Sequence, residues 1–460
     1  MKIAICSSEV FPYAKTGGLA DVTGALPAAL SKKGCEVKVF MPLYKNVKPQ
    51  KMFDDYGLTK EGKVEFYFIK NDNYFSRDAL YGTPQGDYPD NLERFSFYSK
   101  QVLELLKKLK FKPDVCHCND WQAALVNIYL KTTYKNDEFF KKTRTAITVH
   151  NLAYQGLFEK DKYPVMGLSW DYFNMHALEF YGKINLLKGG LIFSDIINTV
   201  SPTYAKQIQT PDYGCGLDGV LREKRDRLIG ILNAIDYDVW SPEADKLIYK
   251  NYSVKKLEDK YVNKTMFQKE LGLKVDKGTL MLGMVTRLAE QKGIDILSSS
   301  LDYILKKYQV VILGVGDEKY QKILKGKADK FKKAFSLNLT FDEKIAHRIY
   351  AACDGFLMPS RFEPCGLSQM ISYKYGTTPI VHSTGGLKDT VVDVANSGGG
   401  YVLDNYSSES LIKAVDKCAA VFKNEKKQIA LMKKVMGYNF SWDETAKKYM
   451  DMYKKAQTLK

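Results

Sequence analysis

The chain has 460 residues, of which 45% are apolar and 27% charged, a composition and length that predict an ordinary soluble protein with two large domains. It contains no run of about 18 apolar residues, and Ser7, Ser8 and Glu9 interrupt its first apolar segment, so we expect a cytoplasmic protein without membrane span or secretory signal. The net charge of +16 is dispersed, which argues against nucleic-acid binding and favours the attraction of small anionic ligands.

Short apolar segments alternate with helical segments through the first half of the chain. The first strand, "KIAICSSE", is followed by the turn "TGGLAD" and by a helix that ends at Gly34. Alternation of this kind predicts a parallel sheet with helices on both faces. Further strands are predicted at 36–42, 114–120, 144–150, 194–201 and 228–234.

The same rhythm restarts after about residue 245. Strands are predicted at 279–287, 308–316, 354–360 and 377–383, with a helix at 342–353 and a closing helix at 441–457. The sequence therefore predicts an α/β protein with two Rossmann-like, doubly wound domains that face each other across a cleft. The expected boundaries are 1–240 for the N-terminal, acceptor-side domain, 241–440 for the C-terminal, nucleotide-sugar-binding domain, and 441–460 for a helix that packs back toward the first domain.

The pattern T-G-G-L-x-D occurs once in each predicted domain, as "TGGLAD" at 16–21 and "TGGLKD" at 384–389. Glycines between a strand and a helix allow backbone N–H groups to approach an anion, and Lys15 beside Gly17 and Gly18 strengthens this interpretation. The alternative is a tight turn that uses glycine for steric reasons alone. We expect both turns to be presented to a shared ligand.

Two cations and one carboxylate stand out in the second half. Arg287 and Lys292 lie five residues apart after a predicted strand, just before Gly293 and an apolar helix. Glu363 precedes Pro364 and a helix that is predicted to start near Leu367, where a carboxylate can accept hydrogen bonds from sugar hydroxyls. The alternatives are two solvated cations and a carboxylate that only caps its helix.

Polar residues also end two strands of the first domain: Asn119 and Asp120 after one, His150 and Asn151 after the next. We favour a cleft position for His150 over a packed core histidine. The sequence "CHCND" at 116–120 is not expected to bind zinc, because adjacent residues of a strand point to opposite faces and no second ligand cluster completes a tetrahedral set. The dinucleotide fingerprint G-x-G-x-x-G is missing after the first strand, which disfavours hydride transfer.

Eight motifs occur together and in order over essentially the whole chain: "KTGGLADV", "HCNDWQ", "TVHNLAYQG", "ILNAIDYDVW", "TRLAEQKG", "PSRFEPCGLSQM", "KYGTTPIV" and "STGGLKDTV". In these motifs the chain resembles bacterial glycogen synthases, of the glycosyltransferase family that also includes plant starch synthases. The resemblance implies the two-domain fold of the GT-B type and transfer of glucose from ADP-glucose to the 4-hydroxyl at the non-reducing end of an α-1,4-glucan. It also implies retention of the anomeric configuration and activity without a bound metal.

The resemblance further implies site residues at the matching positions. Lys15, Gly17, Gly18 and Asp21 would lie at the donor, and Arg287 and Lys292 would neutralise the leaving diphosphate. Phe341 would stack on the adenine. The glucosyl unit and its pocket would be contacted by Asp120, His150, Asn151, Asn233, Gln291, Glu363, Cys365, Gly366, Leu367 and Ser368. Two departures are small: Ala234 replaces the usual glycine, and Ser368 stands where threonine is common.

Several alternatives stay open at this point. A related GT-B glycosyltransferase that uses a UDP-sugar would share most of these motifs, and a non-catalytic glucan-binding protein would share some. Retention often involves a nucleophilic carboxylate, for which Asp120 and Glu363 are candidates. We prefer a front-face reaction in which the leaving phosphate oxygen takes the acceptor's proton. The sequence leaves the oligomeric state open.

Overall fold

A computed structural model describes residues 1–83 and 85–459. The chain forms two compact units, one of Met1–Asn233 together with Trp442–Lys460 and one of Ala234–Ser441. The domain boundaries predicted from the sequence remain predictions, and Lys460, the last residue of the predicted 441–460 segment, lies outside the described residues.

Unit 1 is built on a nine-stranded sheet with the order β14-β13-β9-β8-β1-β2-β5-β4-β3. Its pairs are parallel except at the β5-β4-β3 edge, where the strands run antiparallel. The strands of the unit are β1 Lys2–Cys6, β2 Glu36–Pro42, β3 Lys51–Met52, β4 Tyr56–Glu61, β5 Val64–Ile69, β6 Gly82–Thr83, β7 Gly86–Asp87, β8 Val115–Asn119, β9 Arg144–Val149, β10 Leu157–Glu159, β11 Glu179–Phe180, β12 Lys183–Asn185, β13 Ile196–Thr199 and β14 Leu228–Gly230. The predicted strand 228–234 thus ends at Gly230.

Helices cover this sheet and close the unit. They are α1 Gly18–Lys32, α2 Asp72–Phe75, α3 Asn91–Lys108, α4 Asp120–Lys131, α5 Leu186–Phe193, α6 Pro202–Gln207, α7 Asp218–Glu223 and, from the end of the chain, α16 Trp442–Thr458. The last helix is joined to the sheet by buried polar contacts: Tyr453 bonds the His117 ring at 2.8 Å, and the Asn198 amide donates to Tyr449 at 3.2 Å.

Unit 2 contains a six-stranded, all-parallel sheet with the order β17-β16-β15-β18-β19-β20. The strands are β15 Met281–Val285, β16 Gln309–Leu313, β17 Phe335–Asn338, β18 Gly355–Met358, β19 Thr378–His382 and β20 Tyr401–Leu403. The helices are α8 Glu258–Glu270, α9 Ile294–Leu305, α10 Glu318–Lys330, α11 Glu343–Ala352, α12 Ser368–Lys374, α13 Gly385–Thr390, α14 Ser408–Phe422 and α15 Glu425–Met436. Apolar residues of its strands and flanking helices form one continuous buried core.

Both sheets have the strand order of a doubly wound fold, so the predicted fold class is confirmed. In such sheets the ligand site lies outside the carboxyl ends of the two strands where the winding direction reverses. These strands are β1 and β8 in unit 1, and β15 and β18 in unit 2. Over the described residues, no helix is long and apolar enough to cross a membrane.

Candidate active site

The reversal point of unit 2 carries the two predicted cations. The chain leaves β15, passes Arg287 and forms a short 3-10 turn over Glu290–Lys292 before α9 begins. Gly293 makes this turn possible, because its φ is +75° and a Cβ there would lie 2.1 Å from the Pro359 carbonyl oxygen. The cations are therefore held on a loop that is packed directly against the segment following β18.

Lys292 and Glu363 form an ion pair, with Nζ and Oε2 2.7 Å apart. The two side chains are 19% and 7% exposed, and the Ser360 hydroxyl donates a second hydrogen bond to the same carboxylate oxygen at 3.1 Å. Glu363 was predicted to bind sugar hydroxyls and Lys292 to bind phosphate, and the structure joins them directly. An ammonium group has three protons, so Lys292 keeps donors for a ligand while Glu363 holds it in place.

Arg287 and Gln291 lie beside this pair. The Arg287 guanidinium is exposed and donates from Nη2 to the Gln291 side-chain oxygen at 3.4 Å. Gln291 in turn donates to the Phe362 carbonyl at 3.4 Å. Four of the predicted site residues therefore form two neighbouring pairs in unit 2, Arg287 with Gln291 and Lys292 with Glu363.

The segment after Glu363 leads into α12 as predicted. Cys365 is buried, and Gly366 has a φ of +73°, which favours glycine. Leu367 is the N-cap position and Ser368 the first helical residue, with its hydroxyl 2.9 Å from that of Tyr350. These residues connect the Glu363 segment to the first turn of α12.

The second Gly-Gly turn differs from its expected role. Gly385 and Gly386 are buried, and the Gly386 N–H donates to the backbone carbonyls of Glu363 and Pro364 at 3.1 and 3.2 Å. A Cβ on Gly385 would lie 2.0 Å from the Glu363 carbonyl oxygen. The expectation that this turn is presented to a ligand is wrong: its glycines allow the backbone to support the Glu363 segment.

Phe341 is 72% exposed and lies just before α11. Asp342 caps that helix by accepting a hydrogen bond from the Ile345 N–H at 2.9 Å. The aromatic ring is thus held at a fixed helix start with its face available to a flat partner.

The first Gly-Gly turn, at the end of the loop that follows β1, is exposed at Thr16, Gly17 and Gly18. The Lys15 ammonium is 2.6 Å from the Asp21 carboxylate, so these two predicted site residues are paired with each other. The sequence analysis missed Glu9, whose buried carboxylate lies under this turn and accepts hydrogen bonds from it. Its position at the carboxyl end of the first strand was the available signal.

Asp120 and His150 meet at the reversal point of unit 1. The Asp120 carboxylate accepts a hydrogen bond from the His150 backbone N–H at 2.7 Å. The pKa of Asp120 is raised to about 7, chiefly by burial and also by the charge of Glu9, against the lowering effect of the N–H groups of His150 and Asn151. Asp120 also has a φ of +54°, a conformation that only a few residue types adopt readily. A carboxyl group with a raised pKa is therefore held at a left-handed backbone position, which aspartate and asparagine adopt more readily than most residues.

The His150 ring is neutral, because burial lowers its pKa to about 3. Its Nε2 lies 3.0 Å from the Asn119 side-chain oxygen, and the orientation of that amide is fixed by a hydrogen bond from its nitrogen to the Cys6 carbonyl at 3.2 Å. Nε2 must therefore donate, which leaves Nδ1 as a hydrogen-bond acceptor.

Two asparagines complete the predicted set in unit 1. The Asn151 side-chain oxygen accepts from the Ala153 N–H at 3.1 Å. Asn233 is buried, and its Oδ1 has no hydrogen-bond partner among the residues that the structure describes. A buried acceptor of this kind is suited to a ligand hydroxyl.

Residues 116–118 are buried in the core of unit 1. The His117 ring is buried between the hydroxyls of Tyr453 and Thr148, at 2.8 and 2.7 Å, and burial lowers its pKa to about 3. Within residues 1–83 and 85–459, no group of three or more His, Cys, Asp or Glu side chains could hold a metal ion.

Two solved structures share this architecture. The catalytic domain of starch synthase IV from Arabidopsis thaliana, bound to ADP and acarbose, matches with a TM-score of 0.92 and 32% identity over 99% of both chains. Sucrose-phosphate synthase from Thermosynechococcus elongatus shares the fold, with a TM-score of 0.63 and 17% identity over 99% of this chain and 98% of its own. The fold and the residues at its reversal points define a glycosyltransferase of the GT-B class.

Sequence comparison narrows this class. Residues 2–223 match the starch synthase catalytic domain family, and residues 267–434 match the glycosyl transferases group 1 family. Curated glycogen synthases from Thermosipho melanesiensis and Geotalea uraniireducens are 47% and 45% identical, over 100% of this chain and 99% and 100% of their own lengths. The chain belongs to the glycogen synthase family, as the motifs predicted.

Proposed function

We propose that the chain is a retaining hexosyltransferase that moves glucose from ADP-glucose to the 4-hydroxyl at the non-reducing end of an α-1,4-glucan and releases ADP. The observation that carries the proposal is the Lys292–Glu363 ion pair at the reversal point of unit 2, on the same loop as the exposed Arg287. The ADP bound to the Arabidopsis starch synthase supports an adenine nucleotide as the donor. A cytoplasmic location stays a prediction.

Charge develops on the leaving phosphate oxygen as the bond to the sugar breaks. Arg287 offers several N–H donors in a planar fork, and Lys292 offers the protons that Glu363 does not use. Donors that are already in place stabilise this charge more in the transition state than in the ground state. In the proposal these side chains, rather than a bound metal ion, neutralise the leaving diphosphate.

The residues of unit 1 suit the sugar. His150 is neutral and can accept a hydroxyl proton at Nδ1, and the unpartnered Asn233 oxygen can accept another. In the front-face reaction that we prefer, the leaving oxygen takes the acceptor's proton while the His150 carbonyl stabilises the cationic anomeric carbon. Trapping a covalent glucosyl adduct on Asp120 or Glu363 would overturn this preference.

Labelled ADP-glucose or UDP-glucose, incubated with the protein and glycogen, tests the proposal. We expect incorporation of label from ADP-glucose, with α-linked product. Preference for UDP-glucose would favour the related transferase, and glycogen binding without incorporation would favour the non-catalytic glucan-binding protein.

The site is tested by Lys292→Ala and Glu363→Ala. Each should lower turnover about 100-fold or more while the protein stays folded, because each removes a group that acts on the transition state. Lys264→Ala is the matched control, since Lys264 forms a 2.7 Å ion pair with Asp354 in which both side chains are buried. It should lower stability with little effect on turnover per folded molecule. The same loss of folding in all three variants would contradict the site assignment.

A further inference from the structure

The Glu9 carboxylate is held by four donors. Oε2 accepts from the N–H groups of Thr16 and Gly17 at 2.5 and 3.3 Å, and Oε1 accepts from the hydroxyls of Thr16 and Tyr81 at 2.6 and 2.7 Å. The side chain is 3% exposed. Four donors on its two oxygens hold this carboxylate in one orientation.

The backbone of Glu9 is also fixed. Its carbonyl accepts from the Ser7 hydroxyl at 2.7 Å and from the Thr23 hydroxyl of α1 at 2.6 Å. Thr23 lies on the helix that the glycine turn begins. Glu9 therefore links the end of β1 both to the turn, through its side chain, and to the helix, through its main chain.

This arrangement determines which donors of the turn remain for a ligand. Thr16 and Gly17 give their N–H groups to Glu9, so they do not face an anion. Gly18 is the first residue of α1, where no earlier helical carbonyl is in position to accept its N–H, and it is exposed. The sequence predicted that the N–H groups of both Gly17 and Gly18 are available to an anionic ligand. In the structure only the Gly18 N–H keeps this possibility.

We propose that Glu9 is a positioning residue for the transfer reaction: it fixes the Thr16–Gly18 turn so that the Gly18 N–H points at the donor's diphosphate. The inference rests on the proposed function. Glu9 itself touches neither sugar nor phosphate. Its carboxylate fixes the direction of the Thr16 and Gly17 N–H groups and so the conformation of the turn.

Glu9→Met is the most direct test, because methionine has a similar length but offers no acceptor oxygen to the turn. The Thr16 and Gly17 N–H groups then lose the acceptor that fixes their direction, whereas the amide oxygen of glutamine could still accept from both. Misorientation of the turn should lower kcat about 100-fold, as expected for a small displacement of a catalytic contact. Glu9→Asp, which keeps the charge and both acceptor oxygens, should recover part of this loss.

Tyr81→Phe is the matched control. It removes one donor from Oε1 and a 2.7 Å contact with the Ser8 hydroxyl but leaves every bond between Glu9 and the turn. We expect kcat within about threefold of the wild type, because only a bond that does not orient the turn is lost. Thermal unfolding of all three variants reports whether the fold is retained.

Hydrogen exchange provides a readout that does not depend on activity. The Thr16 and Gly17 amides should be protected in the wild type and should exchange faster in Glu9→Met, with exchange in β1 unchanged. If the wild type transfers no glucose, the proposed function fails, but this exchange result still shows whether Glu9 holds the turn. Normal kcat in a folded Glu9→Met variant, or unchanged exchange at Thr16 and Gly17, would overturn the inference.

Discussion

Replacing Asp120 with asparagine should make the protein more stable and less active. The Asp120 carboxyl group is buried, and its pKa is raised from 3.8 to about 7. Asparagine has the same shape, keeps an oxygen for the His150 N–H and tolerates the positive φ of this position. The substitution therefore removes the ionisable group with little change in packing.

The size of the effect follows from the pKa difference. Below pH 3.8 the carboxyl group is protonated in both the folded and the unfolded chain and contributes nothing to pH dependence. Between pH 3.8 and about 7 the unfolded chain ionises first, so the folded state loses stability as the pH rises. The shift of about three units corresponds to about 4 kcal/mol above pH 7 and about 1.5 kcal/mol near pH 5. Asp120→Asn should recover most of this free energy.

Chemical unfolding of wild type and Asp120→Asn at pH 5 and pH 8, followed by a signal from unit 1, measures the difference. The stabilisation should grow from pH 5 to pH 8, while turnover with ADP-glucose falls. Asp212→Asn, at an exposed position, is the control and should give the same small change at both values. A stabilisation that is absent, or equal at the two pH values, would refute the argument from burial.

Two further predictions concern glycine and an aromatic ring. Gly385→Ala should lower the free energy of unfolding by about 2–5 kcal/mol, measured by denaturant titration, because its Cβ would strike the Glu363 carbonyl. Gly17→Ala is the control and should change the free energy of unfolding by less than about 1 kcal/mol, because a Cβ there meets nothing within 4 Å. Equal losses in the two variants would contradict the different roles of the two turns. Phe341→Ala should raise KM for the donor about tenfold with stability unchanged, because stacking of an exposed ring on a base contributes about 1–3 kcal/mol. A lower melting temperature with unchanged KM would show that the ring only packs against the protein.

The fold could be predicted because the pattern of apolar segments repeats in both halves. Strands such as β1, β15 and β16 are short, apolar and followed by helices, and this alternation has few structural solutions. The positions of polar residues at strand ends followed from the same rule, since parallel strands all end at one edge of a sheet. Thus Arg287, Asp120 and Glu363 could be selected without coordinates.

Pairing between distant residues could not be predicted in this way. Lys292 and Glu363 are 71 positions apart, and only the adjacency of β15 and β18 brings them to 2.7 Å. The partnership of Lys15 with Asp21 was equally open, because either could have faced a ligand. Glu9 was overlooked because a single acidic residue after a strand has no distinctive spacing, and its four donors come from two separate segments, the Thr16–Gly17 turn and Tyr81.

The two Gly-Gly turns show why a short motif does not determine its own role. Each turn lies between a strand and a helix, and in each a glycine N–H donates to a glutamate. The accepting atoms of the two glutamates differ. At Gly17 the acceptor is the Glu9 side chain, which contacts the turn from the protein interior and leaves its outer face in solvent. At Gly386 the acceptor is the Glu363 main chain, and an approach that close buries both glycines. The first turn can therefore contact a ligand, whereas the second acts by fixing the backbone from which the Glu363 carboxylate extends to Lys292.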